Sequence, residues 1–185
     1  MDLGIEGNRW RGYGQREWKF QGSCFSLVEM GNGQRIFVMG AAIIEASFPK
    51  IRKAGYKITS PETTDYNCFA WVVGQVAQWW SPDLDSGYYW PTDVPRKLEV
   101  KSFVKLYERQ GGYSPCSHSQ LEKGFEKIAI YANATGDVTH VAKQTERGRW
   151  SSKLGDWEDI EHKTLPALEG ESYGKVVQIL KRAVI

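Results

Sequence analysis

Residues 65–80 read DYNCFAWVVGQVAQWW, a single cysteine at the head of an apolar and aromatic run. Asp65 or Thr64 can cap a helix there, and Cys68, Trp71, Val72, Gln75, Val76 and Trp79 recur at three-to-four spacing. The stretch therefore predicts a helix with one buried face. Two readings of Cys68 follow. It is one more small hydrophobe on that face, as free cysteines commonly are. Or the first turn presents a thiol in a cleft, where unpaired amides and the helix dipole lower its pKa from the usual value near 8.5.

Downstream, SPDLDSGYYWP is a loop dense in turn residues and aromatics, and residues 94–110 read as a second helix. Pro95 sits near its start, Leu98, Phe103, Val104 and Tyr107 mark its buried face, and Gly111-Gly112 end it. Residues 126–131 (EKIAIY), 138–144 (VTHVAKQ) and the RWSSKLG stretch read as successive strands separated by the turns ATGD and ERG. Residues 159–162 give a short element, and YGKVVQILKR a final strand or helix. Helices followed by an antiparallel meander define an α+β arrangement.

Upstream, residues 1–22 are rich in Gly, Arg and Trp without a period. CFSLVEM and QRIFVMG flank Gly31, Asn32 and Gly33, a hairpin signal. The run FVMGAAIIEASF fits a strand or a short helix equally. The basic stretch FPKIRKAGYKITSPETT, with Pro49 and Pro61, reads as a linker. It divides an N-terminal appendage, residues 1–47, from a main domain, residues 48–185.

The 185 residues suit one domain, and 41% hydrophobic with 25% charged residues is ordinary globular composition. A formal charge of +2 without a basic stripe argues against nucleic acid as a partner. No apolar run reaches the roughly 18 residues of a membrane span, so no membrane partner is expected. The opening MDLGIEGNRWRGYGQ has no secretory h-region, and three widely spaced cysteines make a poor disulfide framework. The expectation is a cytoplasmic protein, with export lacking a cleavable signal left open.

A nucleophilic thiol needs a base, which can come from far away in sequence. Of the three histidines, His140 lies inside an alternating strand, sharing one face with Ala142 and Gln144. A strand beside the start of the Cys68 helix would bring its imidazole to the sulfur. Cys116 and His118 in PCSH look like half a metal site, and Cys68, His140 and His162 complete a zinc shell on paper. No Cys-x-x-Cys or His-Glu-x-x-His supports it, so neither metal nor cofactor is expected. Tyr66, Trp80 and Trp90 are candidates to line a substrate cleft; the alternative is a satellite core beneath a long loop. Lys153 reads as one half of a solvated ion pair with Asp156 or Glu158.

The order YNCFAW, HVAKQ, RWSSKLG resembles the core of papain-like cysteine hydrolases, particularly the compact bacterial cell-wall peptidase and amidase branch. More closely, the chain resembles a group of bacterial proteins of unknown function. They share YNC-x-AW, a WWP-like loop, GG-Y-x-PC, GFEKIAIY, H-x-A-x-Q, W-x-SKLG and a late DIEH, matching from about residue 48 to about residue 182. The resemblance implies a papain-like α+β fold, Cys68 as nucleophile and His140 as general base. The imidazole-orienting group belongs on or just behind the next strand. There we expect Asp156, with Ser152 as the strand alternative. The place where papain relatives keep an oxyanion-stabilising glutamine holds Glu62, so Asn67 or the Cys68 amide would donate instead.

The function implied is a cysteine-dependent hydrolase or acyl-transfer enzyme on an amide or peptide bond: a protease, an amidase or a glutamine deamidase. A bacterial toxin or effector role is in play, and the substrate would be a peptide or protein. The alternative is a non-enzymatic interaction module with a protein partner or inhibitor, in which Cys68 is a buried structural residue.

Overall fold

The computed structural model describes residues 25–29, 35–39, 41–84 and 86–184. The irregular stretch expected over 1–22, Cys24 and the connection at 31–33 lie outside the described residues. Strands β1 (Phe25–Glu29) and β2 (Arg35–Met39) pair antiparallel, as the hairpin signal predicts. The ambiguous run that follows divides between the two forms: β2 ends at Met39, and Ala41–Ser47 is helix α1.

The main body is mixed helix and antiparallel sheet. Its seven-stranded open sheet is ordered β3-β8-β7-β6-β5-β9-β4. The members are β3 (Tyr56–Ile58), β4 (Ser114–Cys116), β5 (Phe125–Ala132), β6 (Val138–Gln144), β7 (Trp150–Lys153), β8 (Asp159–His162) and β9 (Lys175–Ala183). Strands β5 to β7 form the expected meander, and the short element at 159–162 continues it as β8. The chain then crosses back, so β9 lies on the other side of β5.

Register assigns the two faces. Ile130 opposes Val141 and Tyr131 opposes His140, and residues directly opposite each other share a face. Ile130 and Val141 pack with Phe69 of α3 (Cys68–Trp71) and Phe103 of α4 (Val100–Gly111). Tyr131 and Ala142 pack with Ile44 of α1 and Ile51 of α2 (Ile51–Ala54). The boundary drawn at 47/48 thus falls within the packed body: Ile44 is fully buried in the main core, so the folded unit reaches back at least to α1.

The long helix expected from residue 65 is only four residues, and its cap is Asn67, not Asp65 or Thr64. Asn67 is extended at φ −117° and its Oδ1 accepts from the Ala70 amide at 3.2 Å. Gly74, at φ 84°, turns the chain out of the helix. Val76 beyond it is 54% exposed, so the apolar stripe ends there. The Asn67 side chain then holds the returning loop: Nδ2 donates to the Trp80 carbonyl at 2.7 Å, and the Trp80 amide donates to Oδ1 at 3.3 Å. Residues 94–99 of the second predicted helix are likewise non-helical; α4 begins after the extended Glu99 and stops at left-handed Gly112.

One turn positions the site. Gly170 and Gly174 exchange amide-to-carbonyl hydrogen bonds of 3.0 and 2.8 Å, presenting Tyr173 to the sheet. Gly174 has φ 72°, and a Cβ there would lie 1.9 Å from the Ala132 carbonyl oxygen. Gly174→Ala is therefore expected to cost at least ~2 kcal/mol, since strain and backbone collision add. Thermal melts check this; an unchanged midpoint would show that the turn is not held against β5.

Candidate functional site

Asn67 sets where Cys68 starts. Its cap leaves Cys68 as the first helical residue, with its sulfur against β6. The ladder between β6 and β7 covers only Lys143↔Ser151 and Gln144↔Trp150, although both strands continue beyond it. In that splayed segment the Val141 amide lies where it favours negative charge on the Cys68 sulfur. The amides of Cys68 and Phe69 at the helix start and the Lys153 charge act in the same downward direction. Burial outweighs them and pushes the thiol up to about 12. Cys68 is 6% exposed.

His140 is fully buried, stacked on Tyr173 with ring centroids 4.2 Å apart and planes 3° from parallel. Its Nε2 lies 3.0 Å from Ser152 Oγ, which lies 3.0 Å from His162 Nε2. His162 Nδ1 is 2.9 Å from the Thr164 carbonyl oxygen. A carbonyl only accepts, so His162 Nδ1 carries the hydrogen and its Nε2 a lone pair. Ser152 donates to that lone pair and accepts from His140 Nε2–H. His140 Nδ1 is left with a bare lone pair, buried and without a hydrogen-bond partner.

Both rings are neutral. Burial holds His140 well below its ordinary value, and the nearby His162 acts in the same direction. Burial likewise lowers His162 to about 4, against an upward pull from the Thr164 carbonyl.

The ring partner is Ser152, on the strand, not Asp156. Asp156 lies in the turn between β7 and β8, where the Trp157 amide donates to the Leu154 carbonyl at 2.9 Å. Burial raises its pKa, with its own amide and Lys153 opposing. Lys153 is no solvated ion-pair partner: it is fully buried, donates to the Trp157 carbonyl, and lies 5.4 Å from the Tyr66 ring. Burial lowers its pKa, opposed by Asp159, Asp156, the Cys68 sulfur and Glu158.

The other candidates separate. Asn67 spends its side chain on the cap and on Trp80. Trp80 and Trp90 are buried core residues; Trp90 donates Nε1–H to the Val94 carbonyl at 3.2 Å and packs edge-on against Phe103. The surface of the aromatic loop is Tyr88 and Tyr89, 46% and 42% exposed. Tyr66 is half-buried, its hydroxyl donating to Asp159 Oδ2 at 3.1 Å. Cys116, His118 and Glu122 place ligand atoms within 4.8 Å of one another. Glu122 there already holds the Lys127 and Lys181 ammoniums at 3.2 and 2.8 Å. Ser152, the strand alternative, is the residue that meets His140, whereas the sequence did not reveal His162 as its second partner; the alternation of DIEH was the available signal.

Among the described residues no helix is long and apolar enough to cross a membrane. The class defined is a mixed helix and antiparallel-sheet domain with a cysteine set against a strand that carries a buried, hydrogen-bonded histidine. A family model described as a domain of unknown function (DUF7689) matches residues 57–181, and the chain belongs to that family. No curated protein and no solved structure matches the chain.

Two outcomes follow from this electrostatic state. With iodoacetamide at pH 7.5, half-buried Cys116 is expected to alkylate at least ~10-fold faster than Cys68, whose thiol is nearly buried and held protonated. Peptide mapping over time checks the order; faster labelling at Cys68 contradicts the buried, protonated thiol. Stability is expected to fall as pH drops from 6.5 toward 4, because in that window the unfolded His162 binds a proton that the folded one does not. The contribution is about 3 kcal/mol, and His140 adds in the same direction. Urea titrations across this range that show flat or rising stability contradict it.

Proposed function

We propose that the chain is a cysteine-dependent hydrolase or acyl-transfer enzyme acting on an amide or peptide bond, built on a papain-like plan. Cys68 is its nucleophile and His140 its base. One observation carries the reading: the bare, buried Nδ1 of His140, one residue from Val141, whose amide favours negative charge on the Cys68 sulfur. An unpaired buried polar atom costs ~1–3 kcal/mol. A general base requires a free lone pair of this kind.

The chemistry starts from a neutral pair. As the sulfur attacks the carbonyl carbon, its proton passes to His140 Nδ1 and the carbonyl π electrons move to oxygen. The amides of Cys68 and Phe69, already directed at the sulfur, and the Lys153 charge support that oxyanion. Collapse breaks the C–N bond; the amine leaves with the proton from His140, and a thioester remains. Water, deprotonated by His140, then releases the carboxylate and regenerates the thiol. With ammonia as the leaving group the same steps deamidate a glutamine side chain. The substrate class is a peptide or protein.

The burial of Cys68 favours the rival reading, an interaction module with exposed Tyr88, Tyr89 and Leu84 as its contact surface. A carbonyl electrophile separates the two, because it engages the oxyanion donors as iodoacetamide does not. Incubation with a peptidyl acyloxymethyl ketone is expected to give an adduct on Cys68 that His140→Ala slows by ~100-fold or more. Cys68→Ala is expected to shift the melting midpoint by only a few degrees, about 1 kcal/mol. No adduct, together with a large loss of stability in Cys68→Ala, assigns the thiol to the core instead.

A further inference from the structure

We infer that His162, acting through Ser152, is a positioning residue that fixes His140 as its Nε2–H tautomer and so keeps the Nδ1 lone pair on the base. The inference rests on the proposed function for its catalytic meaning, but the proton positions stand on the geometry alone.

The string Thr164–His162–Ser152–His140 has three links of 2.9, 3.0 and 3.0 Å, and its two rings and hydroxyl are fully buried. A hydroxyl between two imidazole nitrogens is ambivalent: it donates to either ring while accepting from the other. Taken alone, the His140–Ser152–His162 segment has two orientations of equal hydrogen-bond count. The Thr164 carbonyl breaks the tie. If His162 Nδ1 were bare, its lone pair would face the carbonyl oxygen at 2.9 Å. Only the orientation with Nδ1–H on His162 is stable, and it drives every proton in the string toward Thr164.

The fold supplies the anchor rigidly. His162 ends β8 opposite Trp150, two pairs along from Ser152↔Ile160. Thr164 follows two residues later, ahead of the 3-10 turn at Leu165–Leu168. The Leu165 carbonyl is itself held by the Tyr131 hydroxyl at 2.9 Å, tying this corner to the strand opposite His140. The tautomer assigned to His162 is the less common one for a free imidazole in water.

Long-range proton–nitrogen correlation spectra of the full chain at pH 7 read the tautomers directly. We expect His162 as Nδ1–H and His140 as Nε2–H. In His162→Phe the hydroxyl of Ser152 is released to donate to His140 Nε2, and His140 acquires a substantial Nδ1–H population. The same variant is expected to slow acyloxymethyl ketone labelling of Cys68 by about 10-fold or more, as a wrong tautomer does elsewhere. His162→Gln, whose carbonyl can accept from Ser152, is expected to recover part of it. An Nε2–H His162 in the unaltered chain overturns the inference, and that measurement needs no variant to fold. An unchanged His140 tautomer in folded His162→Phe overturns it as well. If the tautomers are as assigned but His140→Ala labels like the unaltered chain, the positioning string stands and the cysteine-hydrolase reading fails. If His140→Ala abolishes labelling while the tautomers differ, the reverse holds.

Discussion

Burying two imidazoles on one face of a sheet is the constraint around which this domain is arranged. A polar ring taken out of water needs hydrogen bonds of its own. His140 and His162 meet that need through one shared hydroxyl, Ser152, and one backbone carbonyl, Thr164. The solution works only if β6, β7 and β8 stay in register, because the three side chains come from three strands. It also needs the Tyr173 ring over His140, which the close Gly170–Gly174 turn delivers. Packing, turn geometry and electrostatics are therefore one problem here. A change at Gly174 reaches His140 through Tyr173 without touching either histidine.

The gap between β6 and β7 carries a different compromise. Where β6 and β7 part, the start of α3 sets the Cys68 sulfur beside β6, where the Val141 amide favours its negative charge. Lys153 is buried nearby with Asp159 paired across from it on β8. Its ammonium is satisfied by the Trp157 carbonyl and faces the Tyr66 ring. A buried cation of this kind is costly unless its surroundings compensate. Carboxylates and a polarisable sulfur around it do so, which links the cysteine to the charge pattern of the β7–β8 hairpin.

Much of this was legible in the sequence, and what was missed has physical causes. The limits of β6, the meander and the shared face of His140, Ala142 and Gln144 follow from strict alternation, because a strand's period of two survives any neighbour. The helix from residue 65 failed because three-to-four spacing is a weak signal once a glycine stands at a left-handed position. Gly74 ended it, and Asn67 found better partners at Ala70 and Trp80 than a longer helix would offer. The edge strands β3 and β4, three residues each, carry too few side chains to show alternation. The pairing of Ser152 with both histidines depends on register across strands, which no local pattern encodes. Lys153 read as a surface charge because its burial is set by Trp157 and Tyr66, residues outside its own strand.

The resting electrostatics bear on what kind of thiol chemistry the proposed site would run. A thiol raised by burial and an imidazole lowered by burial leave the proton on sulfur, so a standing thiolate–imidazolium pair is not the ground state. Reactivity then has to arise as bonds change. The proton can leave sulfur only while negative charge moves onto a carbonyl oxygen that the helix-start amides and Lys153 stabilise. Such a site discriminates by what it is offered: an alkylating agent with no developing oxyanion gains nothing from those donors, whereas an amide carbonyl engages all of them. The burial that makes Cys68 look structural is, on this reading, the source of selectivity. It withholds the nucleophile until an acyl group supplies the charge that the surrounding dipoles are arranged to receive.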